Sequence, residues 1–304
     1  MNSAKPTSTR PPGPGVWLTH KPLGETSFSA FGRFMGGHKP KLGACHGGTL
    51  DPFAEGLLVI LVGPATRLMP FLHEAPKTYV ADVVWGRETD TGDAGGVTVA
   101  TQSTTALSQQ KLDEALHTFL GWTEQTPPTT SAKKVRGEPA YRRVHRGESV
   151  SLSPSRVYLH AARWLSHDLP ERSRLELTCR GGFYVRALAR DLGRLLGCGA
   201  HLVTLSRTHI GPWEDPGLGR RVRLRGADML PWAASREVTP TERATLKGRR
   251  SIPREGATPP LWNVPKGYPP PETPSLGTRA GQVFALLDEA DGRLESRVWL
   301  SPPV

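Results

Sequence analysis

Between residues 174 and 196 the chain changes its hydrophobic period. Arg174 to Cys179 alternates, with Leu175, Leu177 and Cys179 on one side, which is the period-two pattern of a strand. Gly181-Gly182 interrupts the pattern. Beyond the break Leu188, Leu192, Leu195 and Leu196 recur at helical spacing, and Gly197 is placed to stop the helix. A strand that feeds a helix in this way must lay the helix's apolar stripe against an apolar sheet face. The strand pattern returns at Thr78–Trp85, where Tyr79, Ala81, Val83 and Trp85 share one face and Asp82 lies on the other. A second amphipathic helix is expected over Ser108–Leu120, with Leu112, Leu116, Phe119 and Leu120 inward. Strands mixed with helices predict an α+β domain around a large sheet.

The ends of the chain read differently. Residues 1–15 are rich in Pro, Ser and Thr and lack an apolar signal-peptide core, so a disordered tail is expected there. Between Pro253 and Pro274 there are eight prolines in 22 positions, a density that excludes a regular helix or a central strand and predicts a linker over 253–275. Beyond it, Val283–Leu287 and Val298–Leu300 are strand-like, and Asp291-Gly292 supplies a hairpin turn between them. A small β-rich module is therefore expected over 276–304, after a main domain over 16–252.

One turn concentrates the chemistry. In HGGTLDPFAEGLLVILVGPATR, residues 46–67, Asp51 stands between a glycine-rich turn and a proline. Asp51 suits a helix N-cap, with Pro52 at the first helical position. A carboxylate held there can equally be a nucleophile. The apolar run Leu57–Val62 continues as a buried strand or a helix, and the local pattern leaves both pairs of alternatives open.

Formal charge is +11, a field that favours a polyanionic partner. Seven Lys or Arg (133, 134, 136, 142, 143, 146, 156) crowd the segment Ser131–Arg156 against two acids, Glu138 and Glu148. Tyr141 sits among them, and such a cluster predicts RNA binding that weakens steeply with salt. Three cysteines, 45, 179 and 198, build no disulfide framework and match a reducing cytoplasm. Their spacing to His201 and His209 matches no standard zinc site. No apolar run reaches about 18 residues, so no membrane helix is expected. A P-loop, a dinucleotide fingerprint and a G-x-S-x-G elbow are all missing, and no cofactor is expected.

The motif around Asp51 resembles the HxGTLDPxAxGxLxxxxGxAT signature of TruB-type pseudouridine synthases. Four further blocks resemble the same family in the same order. They are KPLGETS at 21–27, KTYVADVVWGRETDTGDAGG at 77–96, QTPPTTSAKKVRGEPAYRRVHRGESV at 125–150 and RGGFYVRALARDLGRLLGCGAHLVTLSR at 180–207. The resemblance covers about residues 15–250. It implies the α+β pseudouridine synthase fold, with a large central mixed β-sheet flanked by helices, and it makes the C-terminal segment a reduced PUA-like module. It also implies conversion of uridine to pseudouridine at position 55 in the T loop of tRNA, with Asp51 as nucleophile. Attack at C1′, attack at C6 and a glycal route all stay open.

By the same resemblance Tyr79 packs on the target uracil and assists removal of the C5 proton. Arg186 pairs with Asp51, keeping it charged and oriented, and Leu205 lines the pocket. His46 takes part in RNA binding near the extruded nucleotide, and Tyr184 lies in the block that enters the active site as a substrate-binding residue. The insertion at 125–150, with Lys133, Lys134, Arg142 and Arg143, closes over the T arm of tRNA. Arg186 also falls in the first turn of a helix, an unfavourable place for a cation unless a carboxylate answers it. The chain departs from the family pattern at His20, Gly47, Thr130 and Phe183, and Thr130 stands where tyrosine is usual. A cytoplasmic monomer acting on tRNA without a guide RNA is the expectation. A guide-RNA-dependent synthase and an inactive tRNA-binding or folding module are the alternatives.

Overall fold

A computed structural model describes residues 12–37, 43–131, 133–135 and 137–304. Residues 1–11 of the expected tail lie outside the described residues, and Gly15 already opens a strand. The chain divides into two compact units. One comprises residues up to 50 with 56–75 and 211–304; the other comprises 51–55 and 76–210.

In the first unit, strand Gly15–Lys21 pairs antiparallel with Glu55–Val62 on one side and with Arg221–Leu224 on the other. Ala44–His46 adds to Glu55–Val62. Helix Ser27–Phe34 covers this sheet, burying Ala30, Phe34 and Met35 against Leu58, Ile60 and Val62. The Thr26 side chain caps the helix by accepting from the Ser29 N–H. The two units interleave along the chain, whereas the sequence predicts a single linear boundary at 252.

The C-terminal sheet of this unit has five strands in the order 235–237, 275–279, 282–290, 293–299 and 252–253. It is wider than the module expected over 276–304, because strands on both sides of the proline-rich stretch join it. Prolines at 259–274 exclude that stretch from regular pairing but do not stop the chain returning to the same sheet. Asp291 and Gly292 both have positive φ, 50° and 70°, as a two-residue type I′ hairpin turn requires.

In the second unit, five antiparallel strands run in the order Ala200–Ile210, Lys77–Trp85, Arg172–Cys179, Ser155–Asp168 and Gly121–Gln125. Lys77–Trp85 is central, and every second residue from Lys77 to Trp85 is buried. The expected helices are Gln109–His117, capped by Ser108, and Val185–Leu195, which ends before Gly197 at φ 69°. The fold class expected from the sequence, α+β with a large central mixed sheet flanked by helices and a small β-rich C-terminal module, is the one observed.

Candidate active site

Asp51 caps no helix. Its carbonyl accepts from the Ala54 N–H at 3.0 Å, closing a turn through Pro52 and Phe53 that returns at once into strand Glu55–Val62. Asp and Pro are the preferred first two residues of such a turn, so the pair that suggested a cap is satisfied by a tighter structure. The run 56–62 is buried at every position, which makes it a strand covered on both faces and explains why its pattern did not alternate.

With no helix to cap, the Asp51 carboxylate meets Arg186. Asp51 Oδ2 lies 2.9 Å from Arg186 Nε, and the two side chains are 30% and 4% exposed. Arg186 is the second residue of helix Val185–Leu195. A cation there opposes the helix dipole, and two carboxylates offset it. Asp93 is the second, with Oδ2 3.4 Å from Nη1. The same Nη1 donates to the Thr91 carbonyl and to Thr130 Oγ1, both at 2.8 Å. The guanidinium is thus fixed on one side by a loop and turned to Asp51 on the other.

That loop is tightly determined. Asp93 Oδ1 accepts from Thr91 Oγ1 and from the Gly95 N–H, both at 3.0 Å. Gly92 has φ +74°, and a Cβ there would come within 3.3 Å of Arg186 Cβ. Only glycine serves this approach without strain. Asp93 and Thr91 lie in the TDTGDAGG block, where their aspartates and threonines were legible but no link to Arg186 was.

Tyr79 belongs to the central strand and is 8% exposed. Its register partners are Leu177 on one side and Arg207 on the other. Arg207 is 1% exposed and hydrogen-bonds the tyrosine side chain. Burial raises the Tyr79 pKa above the usual phenol value, and Arg207 works against that shift. Leu205, 6% exposed, lies opposite Ala81 on the same sheet face. Arg207 closes the last family-like block, but nothing in its spacing distinguished it from a surface arginine.

Lys77, two residues before Tyr79, is pushed down to about 7, first by burial and then by Arg207. Cys179, its register partner, is pushed up to about 12 by burial. An unfolded lysine titrates near 10.5, so between about 7 and 10.5 the unfolded chain binds a proton that the folded protein does not. Stability therefore rises with pH across that window, and below it the full penalty of a buried ammonium persists. Lys77→Met should abolish this rise, about 1.4 kcal/mol per pH unit, in urea unfolding measured at several pH values. A parallel pH dependence in the variant would contradict the assignment.

Tyr184 immediately precedes the Arg186 helix. Its backbone N–H donates to Gln125 Oε1 at 2.9 Å, and Gln125 Nε2 donates to its carbonyl at 3.3 Å. Gln125, 2% exposed, therefore fixes the helix start where no side-chain cap exists. Burial raises the Tyr184 phenol pKa.

The basic segment is partly committed internally. Arg143 Nε donates to Glu148 at 2.7 Å, and Arg146 pairs with both Glu138 and Glu148. Lys133 donates to the Ser153 carbonyl and to Ser155 Oγ. Arg142 is exposed. The Lys134 side chain lies outside the described residues. His46 ends strand Ala44–His46 in the first unit. Among the described residues no group of three or more His, Cys, Asp or Glu could hold a metal, and no helix is long and apolar enough to cross a membrane.

An α+β scaffold that holds one partly exposed carboxylate on a buried arginine defines the class of site. Known proteins agree on the family. Residues 38–185 match the N-terminal domain of TruB family pseudouridylate synthase, and residues 186–224 match the tRNA pseudouridylate synthase B C-terminal domain. A relative named tRNA pseudouridine synthase B, from Xanthomonas campestris pv. campestris (strain B100), is 40% identical over 301 residues, 95% of each chain. Its namesake from Bordetella pertussis is 39% identical over 222 residues, covering 71% of this chain and 88% of that one. The chain belongs to the TruB family of pseudouridylate synthases and is an isomerase.

Solved structures share the fold at low identity. A chain from an H/ACA RNP bound to a substrate RNA containing 2′-deoxyuridine superposes with TM-score 0.64 at 16% identity, covering 95% of this chain and 85% of that one. A chain of a Cbf5-Nop10-Gar1 complex gives TM-score 0.64 at 18% identity, covering 94% and 84%.

Proposed function

We propose that the protein isomerises uridine to pseudouridine at position 55 in the T loop of tRNA, with Asp51 as nucleophile toward a flipped-out base. The observation that carries this reading is the asymmetry of the ion pair: Arg186 is 4% exposed while Asp51 keeps 30% of its side chain open. The buried partner fixes and charge-balances a carboxylate that substrate can still reach. A covalent step through such a group divides one hard displacement into easier ones. The relatives' name, tRNA pseudouridine synthase B, supports tRNA as the substrate.

The reaction breaks the N1–C1′ bond and rejoins the ring through C5, so atoms are conserved and no redox partner is required. The target base leaves its stack at a cost of a few kcal/mol. Stacking on Tyr79 returns about 1–3 kcal/mol, and Leu205 supplies an apolar wall. Tyr184 and His46 bind the RNA substrate. Lys133, Lys134, Arg142 and Arg143 contact phosphates of the T arm. The protein acts as a cytoplasmic monomer without a guide RNA.

Thr130 stands where the family has tyrosine, and its hydroxyl accepts from Arg186 at 2.8 Å. Thr130→Val keeps the shape and removes one acceptor from a charged donor, a change of about 1.5–3 kcal/mol. The single-turnover rate should fall about tenfold or more, while tRNA affinity from filter binding stays within threefold. An unchanged rate would show that Thr91 and Asp93 suffice to hold Arg186.

The function itself is tested with purified protein, unmodified tRNA carrying tritium at uridine C5, and no guide RNA. Tritium should be released from the normal transcript and not from one with cytidine in place of uridine 55. Release from both transcripts would overturn the positional assignment. Tight binding with no release from either would favour an RNA-binding module.

A further inference from the structure

Forming the new C5–C1′ bond leaves a proton on C5 that must depart. The C5–H bond breaks, its electron pair returns to the ring and the proton goes to a base. N1, released from the sugar, takes up a proton from water, so the exchange balances without a co-reactant. In the reading proposed above, on which this inference rests, Tyr79 is the side chain beside the uracil. A buried phenol is a poor proton acceptor unless something stabilises negative charge on its oxygen.

Arg207 is placed to do that. It is 1% exposed, faces Tyr79 directly across the sheet in register, and hydrogen-bonds its side chain. A guanidinium can only donate, so the phenol oxygen is the acceptor in this bond. We propose that Arg207 is a positioning residue for the proton-transfer step: it holds the Tyr79 oxygen and stabilises it as the phenolate, its own proton having passed to solvent, so that this oxygen receives the C5 proton while N1 takes one back from solvent.

The groups acting on Tyr79 set the balance. Burial and the charge of Asp51 oppose the phenolate, and Arg207 favours it by charge and by hydrogen bond. Cys179 lies on the neighbouring strand and is held as a thiol by burial. Lys77 precedes Tyr79 by two residues on the same strand, and Arg180 adds positive charge near Lys77. Arg207 is the group on this face that hydrogen-bonds the phenol and carries a permanent positive charge. A lysine in its place would keep the charge without the rigid fork.

Wild type, Arg207→Lys and Arg207→Met are compared in single-turnover tritium release across pH, with tRNA affinity measured in parallel. Arg207→Met should slow release about 100-fold and move the rising limb of the pH profile to higher pH, with affinity within threefold. Arg207→Lys should recover part of the rate. Because Arg207→Met could fail to fold, 3-fluorotyrosine is also placed at position 79 of the otherwise unchanged enzyme. Its more acidic phenol should shift the rising limb to lower pH. In a folded Arg207→Met background it should recover rate. A pH profile unmoved by fluorotyrosine, or a rate loss in Arg207→Met matched by an equal loss of affinity, overturns the proposal. Absence of release from wild type would overturn the underlying functional reading, and this inference with it.

Discussion

Arg186→Ala should lower the single-turnover rate of pseudouridine formation about 100- to 1,000-fold and also destabilise the fold by about 3–5 kcal/mol. Both effects arise from the same burial. Arg186 is 4% exposed and lies between two carboxylates, Asp51 at 2.9 Å and Asp93 at 3.4 Å. Removing it leaves the Asp93 carboxylate, the Thr91 carbonyl and Thr130 Oγ1 without their shared donor. The chemical loss comes from the orientation of Asp51, which no other group in the cradle reproduces. Arg186→Lys should restore some stability but little rate. A single ammonium cannot reach Asp51 from one nitrogen while another nitrogen serves Thr91, Thr130 and Asp93. Urea unfolding reads the first effect, and single-turnover kinetics beside filter binding reads the second. A loss of tRNA affinity equal to the loss of rate would make Arg186 a phosphate contact instead.

The parts of this site that were legible in the sequence are those with a local signature. The alternation at 78–85 put Tyr79 on the inward face, and the period change at 181–182 put Arg186 at a helix start where a cation needs an acid. The family-like blocks supplied the pairing with Asp51. The Asp51-Pro52 pair was ambiguous because a β-turn and a helix start favour the same two residues, and only the strand that follows decides between them. Asp93, Arg207 and Lys77 were not singled out, although each stands in a quoted block. Their roles depend on sheet register and on a loop folding back to a helix, which no spacing along the chain encodes. Thr130 was visible as a departure, but its hydrogen bond to Arg186 depends on where the loop comes to rest. The wide C-terminal sheet was missed for a related reason: the prolines mark what cannot pair and are silent on where the chain goes afterwards.

Asp51→Asn should leave the fold and tRNA binding nearly intact and reduce turnover by about 10,000-fold or more. The amide has the carboxylate's shape and keeps an oxygen to accept from Arg186, and Asp93 remains to balance the guanidinium. What is lost is the anionic oxygen that attacks, and no other carboxylate contacts Arg186 within 4.0 Å among the described residues apart from Asp93. Asp93 Oδ1 is occupied by Thr91 and Gly95, so it is not free to substitute. The most direct measurement is a side-by-side time course of tritium release from C5-labelled tRNA, with wild type and Asp51→Asn each in excess over RNA and both shown to bind it. The expected result is complete release by wild type and none above the enzyme-free rate by Asp51→Asn. Release by Asp51→Asn at a rate comparable to wild type would contradict Asp51 as the nucleophile.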